Sequence, residues 1–379
     1  MANTRIPAVF MRGGACKGVF FRADALPVDP AERDKILLRV IGSPDPYGKQ
    51  IDGMGCGTSS TSKAIIVSPS IREDCDVEYL SGQIKIDSPG IDWSGNCGNL
   101  TAAVGPFAIG EGLVKAPKNG IAQVRMWQAN ISKRIISHVP VRDGSVIEDG
   151  DFLFDGVSFP GSEIKIDFID PAGSSLFPTG NTVDLLDVPG VGKLEATLID
   201  AGSPMIFIEA SAMGLTATEL QEAVNNNAAL LSRFEAVRAH GAVVMGLASS
   251  AAEATEKRPH SPKISYVAKA QDYIAASGTP VKSGSTDLAA RILSMGLLHH
   301  SYTGTGAVAL AVAAAIPGNI VSNITLNRPD PATVRIGHTS GVLSVGAEAV
   351  KEKDAWKVTK ASMSMSARRL MEGWVLLPG

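Results

Sequence analysis

The sequence predicts an α+β fold in which strands outnumber helices. Many short runs rich in β-branched residues, bounded by Gly, Pro, Asp or Asn, are typical of strands. A few helices with capping signals stand between them, and one polar segment of the first half recurs in the second. The 379 residues are enough for about two domains. The composition, 45% apolar and 19% charged, provides a sizeable core and excludes a globally disordered protein.

Capping and periodicity predict the helices in order. The first follows Asp29, a typical N-cap before a Pro in the first turn, and ends at Gly42. Residues 216–219 have the pattern of a capping box, residues 225–241 place apolar side chains on one face, and residues 285–300 are predicted as a further helix. The predicted strands are residues 76–87, 122–131, 133–141, 157–169, 193–201, 204–210, 263–268, 333–338, 342–350, 357–366 and 373–377.

A short duplication predicts two similar halves. Residues 96–99 (NCGN) precede an apolar, small-residue helix, and residues 303–306 (TGTG) precede a second one. We therefore expect two domains, residues 1–183 and 184–365, whose central helices direct their N-termini into a shared cleft. The last strand, about residues 366–379, can return to the first domain.

Charge and hydropathy exclude several classes of protein. The 35 Lys and Arg against 38 Asp and Glu give a formal charge of −3, which argues against a nucleic-acid partner. The longest apolar run, residues 307–316, is far shorter than the ~18 residues that a membrane span needs. The first residues carry no signal-peptide pattern, and four cysteines do not make a disulfide framework. We expect a soluble, cytoplasmic protein.

Two residues are candidate catalytic groups. Cys97 stands immediately before a predicted helix, where the helix dipole favours a thiolate. The alternative is a small buried apolar side chain, but the flanking Gly and Asn favour a functional thiol. Lys63 ends a Ser-Thr-Ser-Lys segment and enters a strand. Desolvation in an apolar cleft makes a lysine a competent base, and the alternative is an ordinary solvated lysine.

Glycine-rich and hydroxyl-rich loops predict a site for carboxylates. Helix N-termini hold anions without a cofactor, and Gly-rich and hydroxyl-rich segments add donors. Cys16 stays open between a ligand contact and a packed thiol, and His338 between a ligand contact and a turn cap. No histidine or cysteine spacing is typical of a metal site. The candidate binding residues are Gly14, Ala15, Cys16, Lys17, Ser60, Thr61, Ser62, Asn96, Gly98, Asn99, Thr179, Gly180, Thr303, Gly304, Thr305, Gly306, His338 and Ser340.

Several motifs together resemble one family. They are MRGGACKGVFF, RVIGSPDPYGKQIDGMG, TSSTSKAII, DWSGNCGNLTAAVGPFAI, FPTGN, RIGHTSG and SARRLMEG. From about residue 5 to the C-terminus the chain resembles the 2-methylaconitate cis–trans isomerase (PrpF) family. The resemblance implies a diaminopimelate epimerase-like fold, with two domains that each wrap strands around a central helix and an active site between them. It also implies a cofactor-free mechanism whose lysine and cysteine fall on Lys63 and Cys97.

The sequence departs from the family pattern at three places. The usual GGTSKG is GGACKG, with Ala15 and Cys16 in place of a Thr-Ser pair. The usual GMGGATSSTSK has Cys56 and Gly57 in place of Gly-Ala. Where the related epimerases carry a second cysteine, this chain has Thr303, which argues against a two-thiol racemisation mechanism.

The expected activity is proton-transfer isomerisation of an unsaturated tricarboxylate. The resemblance favours conversion of trans to cis 2-methylaconitate in the methylcitrate cycle of propionate breakdown. Lys63 would remove an allylic proton, helix N–H donors would stabilise the anion, and Cys97 or Lys63 would return the proton. The alternatives are a 4-oxalomesaconate tautomerase, a 3-methylitaconate or aconitate Δ-isomerase, and a non-catalytic carboxylate-binding protein. A homodimer is one option for the assembly.

Overall fold

A computed structural model describes residues 4–353 and 355–378. Residues 1–3, 354 and 379, which the predicted domain ranges include, lie outside the described residues. The chain forms two compact units, one made of Met1–Ile166 with Ser364–Gly379 and the other of Asp167–Met363. Among the described residues no helix is both long and apolar enough to cross a membrane.

The first part of the chain carries nine strands and two helices among its described residues, the last strand crossing into the second unit. In chain order they are β1 Thr4–Gly13, β2 Cys16–Arg22, α1 Pro30–Ile41, β3 Lys63–Pro69, β4 Val77–Ile84, β5 Ile91–Asp92, α2 Gly98–Gly110, β6 Asn119–Gln128, β7 Lys133–Arg142, β8 Ser145–Val146 and β9 Ile164–Ile169.

The rest of the chain supplies the second unit as far as Met363, and its final strand belongs to the first unit. Its elements are β10 Asp184–Val188, β11 Gly192–Asp200, β12 Pro204–Glu209, α3 Gln221–Asn225, α4 Ala228–Val244, α5 Ala251–Lys257, β13 Lys263–Lys269, β14 Tyr273–Ile274, β15 Pro280–Val281, β16 Leu288–Ser294, β17 Leu297–Leu298, α6 Gly304–Ala315, α7 Ile320–Ile324, β18 Thr333–His338, β19 Gly341–Glu352, β20 Ala355–Met365 and β21 Ala367–Leu377.

Strand pairing shows the same topology in both units. In the first, β1 pairs antiparallel with β2 and with β21, and β2 pairs parallel with β3 after the α1 crossover. β3 then pairs antiparallel with β4, which is parallel to β6. In the second, β11, β12, β13, β16 and β18 repeat this order and these directions, with α4 in the crossover. The predicted α+β class and the predicted duplication are confirmed.

Each unit wraps its strands around a central apolar helix. All residues of α2 except its last are buried, and the helix contacts β1, β2, β7, β8 and β21. In the second unit α6 is almost wholly buried and contacts β11, β12, β18 and β19. Small residues permit this packing, since a Cβ added at Gly105 would lie 2.8 Å from Ser137 Oγ. A helix that is apolar on all sides requires such a surround.

The first helix forms as its caps predict. The Asp29 side chain accepts a hydrogen bond from the Glu32 backbone at 2.9 Å, and Gly42 ends the helix in the left-handed region. Leu37, Val40 and Ile41 are buried in the core between α1 and the sheet. Each such side chain contributes about 2 kcal/mol of transfer free energy.

The predicted helix over residues 285–300 is wrong. This segment forms β16 and β17, joined by a two-residue turn at Met295 and Gly296, both with positive φ. Every residue of β16 is buried. A strand that is covered on both faces lacks the alternation of apolar and polar residues. Its sequence pattern therefore cannot distinguish it from a buried helix.

The predicted capping box at residues 216–219 is also wrong as a helix start. The Glu219 carboxylate accepts a hydrogen bond from the Thr216 backbone at 2.7 Å, but helix α3 begins only at Gln221. The pair closes a local turn before the helix.

The units divide earlier along the chain than the expected boundary after residue 183. Residues 167–183 belong to the second unit because its strands hold them. The Asp167 carboxylate accepts a hydrogen bond from Ser362 at 2.6 Å, and the Gly173 N–H donates to the Asp200 carbonyl at 2.9 Å.

Candidate active site

Lys63 opens strand β3 and is buried. Ala64 and Ile66 pack into the core beside α1, so strand alternation turns Lys63 to the opposite face of the sheet. Its side chain is 4% exposed, and its Nζ donates a hydrogen bond to the Oε1 of Gln83. The alternative of a solvated surface lysine is therefore wrong.

Cys97 is the N-cap residue of α2. Its backbone is extended, and its carbonyl accepts the first helical hydrogen bond, from the Thr101 N–H at 3.0 Å. The N–H groups of the first turn consequently have no partner within the helix, and they give this end a partial positive charge. The thiol is 8% exposed. The partial positive charge at this position stabilises a thiolate over a thiol.

Cys16 lies against the same helix start. It is the first residue of β2, and its thiol accepts a hydrogen bond from the Asn99 amide at 3.6 Å. It also forms a hydrogen bond with the Cys97 thiol. That hydrogen bond and burial raise the pKa of Cys16, while the nearby Lys63 amine and the Asn99 amide act in the opposite direction. We call Cys16, Lys63, Cys97 and Asn99 the thiol–lysine cluster.

A buried polar network supports the helix start. The Thr101 hydroxyl donates to the Cys97 carbonyl at 3.1 Å and lies 2.8 Å from the Tyr79 hydroxyl. Asn96 donates its amide to the Thr101 hydroxyl at 3.1 Å. Burial raises the pKa of Tyr79, so the phenol keeps its proton. The side chain of Asn96, a predicted ligand contact, thus bonds within the protein.

The loop before β3 uses its hydroxyl groups internally. The Ser62 hydroxyl is fully buried, 2.7 Å from Gln50 Oε1 and 2.8 Å from the Thr58 carbonyl. The hydroxyls of Ser60 and Thr61 lie 3.0 Å and 2.8 Å from that of Thr58. These contacts fix the path of the loop that leads to Lys63.

The glycine loop between β1 and β2 packs on the first turn of α2. Gly14 has positive φ, and a Cβ there would lie 2.5 Å from the Asn99 Oδ1. Ala15 is buried, whereas Lys17 is half-buried with its Nζ 5.4 Å from the centre of the Phe10 ring. The loop therefore sets where Cys16 stands relative to the helix.

In the second unit, α6 occupies the place of α2. Thr303 is its N-cap, and the Thr303 hydroxyl accepts a hydrogen bond from the Gly306 N–H at 3.3 Å. Gly304 follows it as the first helical residue. The Thr305 hydroxyl is buried and has no hydrogen-bond partner among the described residues. This helix start carries hydroxyls where that of the first unit carries a thiol.

The remaining predicted binding residues also lie in the second unit. The Ser340 N–H donates to His338 Nδ1 at 3.2 Å, and the Ser340 hydroxyl donates to the His300 carbonyl. Burial lowers the pKa of His338 to about 3, and the charges of Arg291 and His300 act in the same direction. The imidazole is therefore neutral. Thr179 and Gly180 form a separate turn in which the Thr179 hydroxyl donates to Asp184 at 2.8 Å.

Comparison with known proteins identifies the family. The family model described as "PrpF protein" matches residues 3–378. This chain belongs to the PrpF family. It is 56% identical to the "2-methyl-aconitate isomerase" of Cupriavidus necator, over 99% of this chain and 98% of that protein. It is 54% identical to the protein of the same name from Shewanella oneidensis, over 99% of this chain and 97% of that one.

A solved structure has the same architecture as this PrpF chain. The crystal structure of a "Methylitaconate-delta-isomerase" matches with a TM-score of 0.79 and 40% identity, over 100% of this chain and 96% of that one. The diaminopimelate epimerase-like fold that the sequence implied is thereby confirmed.

Sequence reasoning missed three polar residues of the PrpF site. Gln83 contacts Lys63, whereas Tyr79 and Thr101 support Cys97. Gln83 and Tyr79 lie outside the family motifs, and Thr101 lies inside one but was not among the candidate residues. Gln83 lies in the buried end of β4 beside Ser81 and Gly82, so no contrast with apolar neighbours marks it in the sequence. Among the described residues, no group of three or more His, Cys, Asp or Glu is arranged to hold a metal ion.

Proposed function

We propose that this PrpF chain isomerises trans to cis 2-methylaconitate by proton transfer, in the cytoplasm and as part of propionate breakdown. The observation that carries the proposal is the thiol–lysine cluster at the start of α2. It combines a buried amine, a thiol at a helix N-terminus and the backbone N–H groups of the first helical turn. The relatives of more than half identity bear the name of this activity.

Lys63 is the proposed base. In its neutral form it takes an allylic proton of the substrate, and the C–H bond breaks as the N–H bond forms. The electron pair left behind spreads through the double bond onto a conjugated carboxylate. Gln83 Oε1 holds one N–H of the amine and so directs its lone pair.

The start of α2 is the proposed anion site. The first N–H groups of the helix, from Gly98 onward, can donate to the carboxylate that receives the charge. Burial of the cluster strengthens this interaction, because the effective dielectric constant is lower than in water.

Reprotonation completes the reaction. While the charge is delocalised, the former double bond has reduced order and can rotate. The ammonium of Lys63 then returns its proton to the allylic carbon and becomes a neutral amine again; where Cys97 supplies the proton instead, the ammonium of Lys63 reprotonates the Cys97 thiolate, and both groups regain their starting state. No net electron transfer occurs, so the step needs no oxidant or reductant.

Proton NMR with pure acids tests the proposal. The purified protein is incubated with trans-2-methylaconitate, and the appearance of the cis isomer is followed in wild type and in Cys75→Ser. Cys75 is a buried thiol of the same unit whose electrostatic neighbours are Asp74, Arg72 and Arg134. We expect conversion at equal rates in both proteins, whereas no conversion of this acid by either would overturn the proposal.

A second candidate is double-bond migration on 3-methylitaconate. The 40% identity to the solved methylitaconate-delta-isomerase favours it, and the same amine and thiol can carry out both reactions. Parallel incubations with both acids at matched concentration separate the two, because the preferred acid has the higher kcat/KM.

A further inference from the structure

The cluster contains two buried thiols, of which the proposed mechanism uses only Cys97. Cys16 and Cys97 are 4% and 8% exposed, and their thiols are joined by a hydrogen bond. The Asn99 amide donates to the Cys16 sulfur from the other side, at 3.6 Å. The Cys16 sulfur is thus held between a donor and the reacting thiol.

Backbone packing fixes the position of Cys16. A Cβ added at Gly13 would lie 2.7 Å from the Asn99 carbonyl and 3.0 Å from the Leu100 Cα, so the turn before Cys16 rests directly on the first turn of α2. The Gly14 N–H donates to the Ser366 carbonyl at 2.9 Å and ties the turn to the chain before β21. Cys16 therefore cannot move away from Cys97 without disturbing this turn.

The surroundings decide which thiol keeps its proton. The titratable groups that act on the pair are the Lys63 amine from β3 and the Tyr79 phenol from β4, and Asn99 adds a neutral amide. The hydrogen bond to Cys97 and burial both raise the pKa of Cys16. Because the two thiols interact, they titrate as a pair, and the raised pKa of Cys16 keeps its S–H available as a donor.

We propose that Cys16 is a positioning residue that acts through Cys97, donating its S–H to the Cys97 sulfur and stabilising the thiolate at the start of α2. The effect of Cys16 on turnover rests on the proposed function, whereas the stabilisation of the Cys97 thiolate does not. A serine at this position, as in the usual family motif, would keep a donor, whereas an alanine would remove it.

The test is alkylation of Cys97 as a function of pH, which needs no substrate. Iodoacetamide labelling is quantified at the Cys97 peptide in wild type, Cys16→Ser, Cys16→Ala and the control Cys75→Ser. We expect the labelling midpoint of Cys16→Ala to rise by about one pH unit, since a lost hydrogen bond to a charged group has this size. Cys16→Ser should shift less, and Cys75→Ser should match wild type.

An unchanged midpoint in folded Cys16→Ala, with folding checked by thermal melting, would overturn the inference. Should Cys16→Ala fail to fold, Cys16→Val decides in its place, because valine also lacks a donor and must move the midpoint upward. The pH dependence of kcat is expected to shift by the same amount as the labelling midpoint, with KM changed less than about twofold. A shifted midpoint without turnover of any acid contradicts only the proposed function.

Discussion

The Lys63 amine donates a hydrogen bond to the Oε1 of Gln83, its direct neighbour across strands β3 and β4. Gln83 cannot easily turn its amide around, because its Nε2 donates to the Ser62 carbonyl at 3.2 Å. The glutamine therefore presents an acceptor, and only an acceptor, to the amine. This pair fixes where the proposed base stands.

Replacing Gln83 by Glu should inactivate the base without unfolding the protein. A carboxylate beside Lys63 favours the ammonium form, which cannot accept a proton. We expect kcat at neutral pH to fall by at least about tenfold and to recover partly as pH rises. Gln123→Glu, the same change at an exposed site on β6, is the control and should leave the pH profile unchanged. Equal profiles for both variants would contradict the role of Gln83.

Gly14→Ala should disturb the helix start. Its Cβ would meet the Asn99 Oδ1 at 2.5 Å, and φ of +48° is itself unfavourable for alanine. We expect a loss of about 1–3 kcal/mol in the free energy of unfolding and a raised KM. Gly144→Ala, where φ is +77° and no atom lies within 4 Å, reports the backbone strain alone. Denaturant unfolding of the two variants should differ, and identical losses would show that the Asn99 contact is unimportant.

His338 should make the second unit less stable in acid. Its pKa is lowered to about 3 by burial, whereas an unfolded histidine titrates near 6.5. Between these values the unfolded chain binds the extra proton, so the free energy of unfolding decreases as pH falls. In His338→Asn the amide oxygen can still accept the Ser340 N–H, and the pH dependence should flatten. Thermal melting of both proteins from pH 7 to about pH 4 checks this, and parallel curves would be the contrary result.

Lys263→Met should affect stability more than chemistry. Lys263 opens β13 as Lys63 opens β3, and the two strands have the same pairing and burial. Its Nζ, however, donates to the His260 carbonyl at 3.0 Å, within its own unit. We expect a lowered melting temperature with isomerisation kept within about threefold, because the lost contact is structural. A loss of turnover as complete as in Lys63→Met would contradict this assignment.

The sequence predicted those parts of the site that depend on local chain position. Cys97 before a helix and Lys63 at the start of a strand are recognisable from their neighbours alone, and the structure places both as expected. The two small-residue helices were recognisable for the same reason.

Long-range contacts were not accessible from the sequence. Gln83 reaches Lys63 only through the register of β3 and β4, and Cys16 reaches Cys97 only because a glycine turn rests on α2. The strand β16 was predicted as a helix because its burial on both faces hides the period-two pattern. The boundary between the units likewise depends on hydrogen bonds between distant segments.

Deuterium exchange into trans-2-methylaconitate tests the central claim most directly. Wild type, Lys63→Met and Cys97→Ser are incubated with the acid in deuterated water, and proton NMR follows the allylic methyl and methylene signals. We predict that wild type replaces allylic protons with deuterium as it forms the cis isomer. Lys63→Met should do neither, and Cys97→Ser should be slowed at least about a hundredfold in isomerisation. Full exchange in both variants would contradict proton transfer by Lys63 and Cys97.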